Sequence, residues 1–194
     1  MAYAVGLAVL AVSLIAGLLF AGLRLDGPLW QLAILGAVAL VAERQPVRLT
    51  PNTEITVAVL PMLFAAVVYG PLDAVAVGVV GLLADFRPPY IRWLIWTSSR
   101  ILAGGLAGVA VIKLLPTAPS VGELIAAVLA AAFIEALVDS GIGALTVALR
   151  GTGSYGAFLR SVKPVLISSF AVHVPAIVLL AYAYGQASEW TVLL

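Results

Sequence analysis

Residues 1–23 read MAYAVGLAVLAVSLIAGLLFAGL. An apolar run of this length is what a helix needs to cross a hydrocarbon core roughly 30 Å thick. No Lys or Arg precedes it, and it is too long and wrongly flanked for a signal peptide, so it reads as a first spanning helix. The rest of the 194 residues has the same character. The chain is 63% hydrophobic and 10% charged, against about 45–50% and about 25% in soluble domains. Ten Lys and Arg with nine Asp and Glu cannot cover a soluble surface, so lipid must replace water as the solvent. The expected fold is all-α: a polytopic transmembrane helical bundle of six to eight helices, seven preferred, forming one domain over residues 1–194.

Function classes fall away on composition. There is no cysteine, which removes disulfides, thiolate nucleophiles and cysteine metal sites. One histidine and a net charge of +1 argue against a bis-histidine haem and against nucleic-acid partners. No phosphate loop, nucleophile elbow or zinc-protease signature occurs, so neither an enzyme nor a bound cofactor is expected.

Breaks at Pro, Gly and charge divide the chain into segments 3–22, 28–42, 54–70, 72–86, 91–114, 121–149 and 162–185. Asp26-Gly27-Pro28 and Gly70-Pro71 are helix-to-helix turns, with Asp73 in the first turn after Pro71, where a carboxylate suits the positive helix end. Val47 to Thr53 reads as an extended loop, and Asn52 or Thr53 as a cap for the third helix. Segments 28–42 and 72–86 are short, reaching roughly 22 Å at about 1.5 Å per residue. Segment 121–149 is long, at roughly 43 Å, with Asp139-Ser140-Gly141 as the place to bend. Residues 187–194 end in an apolar stub, which reads as the start of a last helix or an interfacial tail.

With seven spans, Arg44, Arg48, Arg87, Arg92, Arg150, Arg160 and Lys163 lie on the N-terminal side, and Arg24 and Lys113 on the other. Seven cations against two place the N-terminus in the cytoplasm of a bacterial inner-membrane protein.

Ionisable groups at membrane depth each need a partner or a cavity, because they cost about 2.5–3.5 kcal/mol on insertion scales. Arg100, Glu135, Asp139, His173 and, nearer the boundary, Glu43 are such groups. Glu135 and Asp139 are spaced i, i+4 and share a helix face, so a guanidinium between them would relieve their repulsion. Trp93, Trp96, Arg100 and Gly104 fall on one helical stripe, which suggests a pocket wall for a planar or anionic small molecule, with Trp96 a turn deeper than Trp93, whose other reading is the interfacial aromatic belt near Arg87 and Arg92. The same cluster could instead be a structural clamp. His173 lies near Ser168, Ser169 and Pro175 and could bond to the Ala171 carbonyl freed by Pro175, or to a serine. Metal ligation is disfavoured by the lack of any ligand spacing. Gly104 and Gly108 form a small-xxx-small pair, for packing within the bundle or for a homodimer.

Ala42-Glu43-Arg44-Gln45-Pro46-Val47-Arg48-Leu49, Tyr69-Gly70-Pro71, Leu83-Ala84-Asp85 and Arg87-Pro88-Pro89 resemble the N-terminal integral-membrane sensor domains (MASE type) of bacterial cyclic-di-GMP signalling proteins. The chain departs from that pattern where Trp96 to Arg100 and Asp139 replace amide residues. The resemblance implies a sensing module that regulates a cytoplasmic signalling domain by bundle repacking. Helix count and short helices also look like the substrate-binding S components of energy-coupling-factor (ECF) vitamin transporters, which implies the alternative of a solute-binding transporter subunit. A third reading is an accessory subunit of a membrane complex. The expected partners are the lipid bilayer and a small-molecule ligand, with a signalling domain or a second copy of the chain.

Overall fold

The computed structural model describes residues 1–45, 47–50, 53–55, 57–117 and 119–187. In chain order these form α1 (Ala2–Phe20), α2 (Leu29–Glu43), strands β1 (Val47–Thr50) and β2 (Thr53–Ile55), then α3 (Val59–Val68) and α4 (Pro71–Leu82). A 3-10 turn (Leu83–Asp85) leads to α5 (Tyr90–Leu114), α6 (Val121–Leu149) and α7 (Tyr155–Ala187). The bundle is helical, as the composition requires. Four helices, α1, α5, α6 and α7, are long and apolar enough to cross a membrane. Their outward faces carry exposed apolar side chains such as Phe133, Leu137, Val172 and Leu179, which suit lipid.

The other three helices are short; α3 and α4 are central, whereas α2 lies at the side of the bundle with Leu29, Val38 and Val41 exposed. At 10 residues, α3 spans only about 15 Å, and Met62, Leu63, Ala65 and Ala66 are almost wholly enclosed. Segment 54–70 is therefore not one helix. Its first residues pair with Val47–Thr50 as an antiparallel hairpin in the register Val47 to Ile55 and Arg48 to Glu54. β-Branched Val47, Thr50, Thr53 and Ile55 favour extended backbone. The stretch read as an extended loop is thus mostly strand, and Thr53 does not cap α3, whose N-cap is Ala58. Asn52 and residues 188–194 lie outside the described residues.

The α3 to α4 turn is tight because Gly70 takes φ +119°, and Pro71 then opens α4 at a position that needs no N–H donor. Asp73 does more than face a helix end. Fully buried, its carboxylate accepts from the backbone N–H of Gly27 (3.1 Å) and of Asp26 (3.2 Å). It thereby ties the α1 to α2 connection to α4. Asp73→Ala is expected to cost about 1–3 kcal/mol, because the enclosed Gly27 N–H and the partly buried Asp26 N–H lose their acceptor. Asp73→Asn, which keeps one acceptor oxygen, should cost less; thermal unfolding of the detergent-purified protein measures both.

At the same end, the Tyr69 hydroxyl donates to Gln31 Oε1, and the Tyr184 hydroxyl donates to the same oxygen at 3.3 Å. Phe64, Tyr69 and Tyr184 stand edge to face with centroids 5.7–6.3 Å apart. This cluster joins α2, α3 and α7. α5 is the hub, packed against α1, α3, α4 and α6. Gly104 and Gly108 face the interior, toward Met62 and Ala74 and toward Pro71 respectively, so they serve packing within the bundle. α6 runs unbroken through Asp139-Ser140-Gly141 from a capping box in which Ser120 and Glu123 satisfy each other's backbone N–H.

Candidate functional site

Opposite the tyrosine cluster, the ends of α2, α3, α4, α5, α6 and α7 enclose a partly open cavity of about 1110 Å³, just above the roughly 300–1,000 Å³ range of small-molecule sites. Arg100 and Glu135 form its central pair. The guanidinium Nη1 lies 3.0 Å from Glu135 Oε1, with both side chains about nine-tenths buried. Helix spacing brings Asp139 to the same face, and the guanidinium interacts electrostatically with both acids; its direct hydrogen bond goes to Glu135, while Asp139 Oδ1 accepts from Ser99 Oγ at 3.2 Å. Two polar links therefore join α5 to α6 one turn apart.

Trp96, Glu43 and His173 also line the cavity. The ring of Phe158 packs over Gly143 on α6, where an added Cβ would stand 3.1 Å from it, with Trp96 just beyond. His173 is 9% exposed. It makes no hydrogen bond to another described residue, and Ser168 turns back to the carbonyls of Pro164 and Val165. The expected bond from His173 to a serine or to the Ala171 carbonyl does not form.

Trp93 is not part of this wall. Its Nε1 donates to the Leu82 carbonyl at 3.1 Å and its ring meets Phe86 edge to face. The stripe of Trp93, Trp96, Arg100 and Gly104 faces between two neighbours: Trp93 and Gly104 meet the α4 side, whereas the longer reach of Trp96 and Arg100 carries them to α6. Helical periodicity specifies a face but not how far each side chain bends around it.

Sequence reading did not find Phe158 or Phe170, which line the α7 wall. α7 begins seven residues before the expected 162, and the signal was available: Ser154 Oγ accepts from the Ala157 N–H, an N-cap. At the cavity's rim Asp85 pairs with Arg87 (3.0 Å) and Arg92 (3.4 Å). Among the described residues no group of three or more metal-ligating side chains occurs.

The arrangement offers a partly aromatic wall, an ion pair, an acid held by one hydroxyl, and a rim of arginines. That combination suits a planar molecule with polar edges better than a simple ion. A family model described as ECF-type riboflavin transporter, S component, matches residues 28–185, from just before α2 to near the end of α7, and leaves α1 outside. No curated protein and no solved structure matches the chain.

Proposed function

The chain belongs to the family of S components of ECF-type riboflavin transporters, and from that premise we propose that it is the substrate-binding membrane subunit of a vitamin transporter, with the cavity between α5, α6 and α7 as its site. One observation carries this reading: Glu43, Trp96, Arg100, Glu135, Asp139 and His173 all line one cavity and all lie within the matched region. Membership favours the transporter-subunit alternative over the sensing module, and the likeness to cyclic-di-GMP sensor domains gains no support from it. A transporter component also agrees with the expectation of no enzymatic activity. Its partners are the bilayer, a flavin-like solute and a separate energising assembly.

Flavin binding is the direct test. Titrating the detergent-purified chain into riboflavin should quench flavin fluorescence through contact with the aromatic wall, and Trp96→Ala should weaken binding by about tenfold, the equivalent of roughly 1.4 kcal/mol for a lost stacking partner. Saturating quenching that is unchanged in Trp96→Ala places the flavin elsewhere. No quenching at any concentration removes the flavin reading.

Orientation needs its own measurement. The cation excess favours a cytoplasmic N-terminus, but Arg44, Arg87, Arg92 and Arg150 line the cavity. Setting those four aside leaves Arg48, Arg160 and Lys163 against Arg24 and Lys113, three against two. A chain without cysteine lets single probes decide. With the N-terminus inside, Thr117→Cys reacts with an impermeant maleimide on intact cells and Gly156→Cys does not. The reverse pattern means that the cavity opens outward.

A further inference from the structure

The two acids of α6 are held differently, and the difference bears on what the cavity selects. Glu135 is committed to Arg100 at 3.0 Å. Asp139, one turn along the same face, feels the nearby Arg100 charge without a direct ion pair; its one hydrogen bond among the described residues comes from the Ser99 hydroxyl to Oδ1 at 3.2 Å, and Oδ2 meets no donor from another described residue. Asp139 is half-buried and lines the cavity, as does Ser140 beside it. Ser140 cannot serve Asp139, because its hydroxyl donates to the Ala136 carbonyl. The exposed arginines Arg44 and Arg150 lie at the rim and form no ion pair among the described residues. A carboxylate at membrane depth with a single long hydroxyl bond is under-satisfied. The missing partner is a hydrogen-bond donor, and the open side of Asp139 is the cavity.

We propose that Asp139 is the specificity-determining acceptor of the cavity, receiving an N–H or O–H donor of the bound solute, while the Arg100 to Glu135 pair holds α5 and α6 in place beneath it. This rests on the flavin-binding reading above. A site built to accept from a ligand donor discriminates strongly against analogues that lack it, because the buried acceptor is then left bare. Riboflavin offers two kinds of donor, the ring imide N–H and the ribityl hydroxyls. The ligand 3-methylriboflavin removes the first, and lumiflavin, without the ribityl chain, removes the second.

The experiment is a set of affinity cycles on the full chain: wild type, Asp139→Ala and Asp139→Asn, each titrated with the three flavins. Asp139→Ala is expected to weaken riboflavin binding by about tenfold or more, and to have no effect on the one analogue that lacks the donor Asp139 holds. That analogue identifies the donor as imide or hydroxyl. Asp139→Asn keeps an acceptor oxygen and should lose less, with the same analogue insensitive; if Asp139→Ala does not fold, this pattern in Asp139→Asn carries the test. Equal weakening for all three flavins, or wild-type affinity in both variants, overturns the assignment and leaves the transporter reading standing. A wild-type chain that binds none of the three overturns both.

Discussion

Arg100→Leu is expected to lower the stability of the purified protein by about 3–5 kcal/mol, enough to abolish a folded population in a marginally stable bundle. The guanidinium and the Glu135 carboxylate are 11% and 10% exposed and 3.0 Å apart. Removing the cation leaves an enclosed carboxylate with no opposite charge, and Asp139 one turn away adds a second negative group on the same helix face. The penalty comes from the abandoned acid more than from the lost attraction. Arg100→Leu with Glu135→Leu should therefore recover part of the loss, because an apolar pair of similar volume avoids both desolvation costs, while Asp139 still lacks the nearby guanidinium charge. Thermal unfolding in detergent reads this directly. A single variant that melts with the wild type would mean that cavity water solvates the pair. A double variant no more stable than Arg100→Leu would mean that the pair does more than cancel charge.

Gly108→Leu should give no monodisperse protein. A Cβ on Gly108 would stand 2.7 Å from the backbone nitrogen of Pro71 and 2.8 Å from its Cβ. The obstacle is the ring and backbone at the first turn of α4, which cannot rotate away as a long side chain would. Even Gly108→Ala forces α5 and α4 apart and should cost about 1–3 kcal/mol. The chain supplies its own control: at Gly6 on α1 an added Cβ meets nothing within 4 Å. Gly6→Ala should be neutral or stabilising by up to about 1 kcal/mol, since alanine is the better helix former. Size-exclusion profiles and melting points of the three variants separate packing from propensity. A well-folded Gly108→Leu would show that the α4 to α5 approach is looser than described.

These two expectations differ in how visible they are from sequence. Arg100, Glu135 and Asp139 stand out because charge is rare in this chain and the i, i+4 spacing puts both acids on one face. Which acid takes the guanidinium is not visible: helix geometry gives each an equal claim, and the choice of Glu135, with Ser99 serving Asp139, depends on the relative height and rotation of α5 and α6. Gly108 reads as one of a small-residue pair, but the backbone it touches belongs to α4, some 37 residues earlier.

Trp93 makes the same point. Its place on the stripe is correct and its inclusion in the pocket is not, because the Leu82 carbonyl takes its indole N–H. Asp73 shows the converse: position suggests a helix-dipole partner, and the fold also makes it the acceptor for two N–H groups from a connection nearly fifty residues away.

By itself the sequence determined the solvent and hence the class of fold. With 63% apolar residues and 19 formal charges, the chain must satisfy its backbone internally in lipid; apolar runs of about 20 residues select helices over a barrel, and Pro, Gly and capping residues mark most of their ends. It also singled out the few ionisable groups that lipid cannot hold unaided. The tertiary structure decided which helices are enclosed, which acid takes the direct hydrogen bond of the guanidinium and which takes the Ser99 hydroxyl, and that Glu43, Arg100, Asp139 and His173, on four different helices, line a single cavity. Those outcomes depend on interhelical distances and rotations set by side-chain packing across long stretches of chain, and local spacing along one helix carries no information about them.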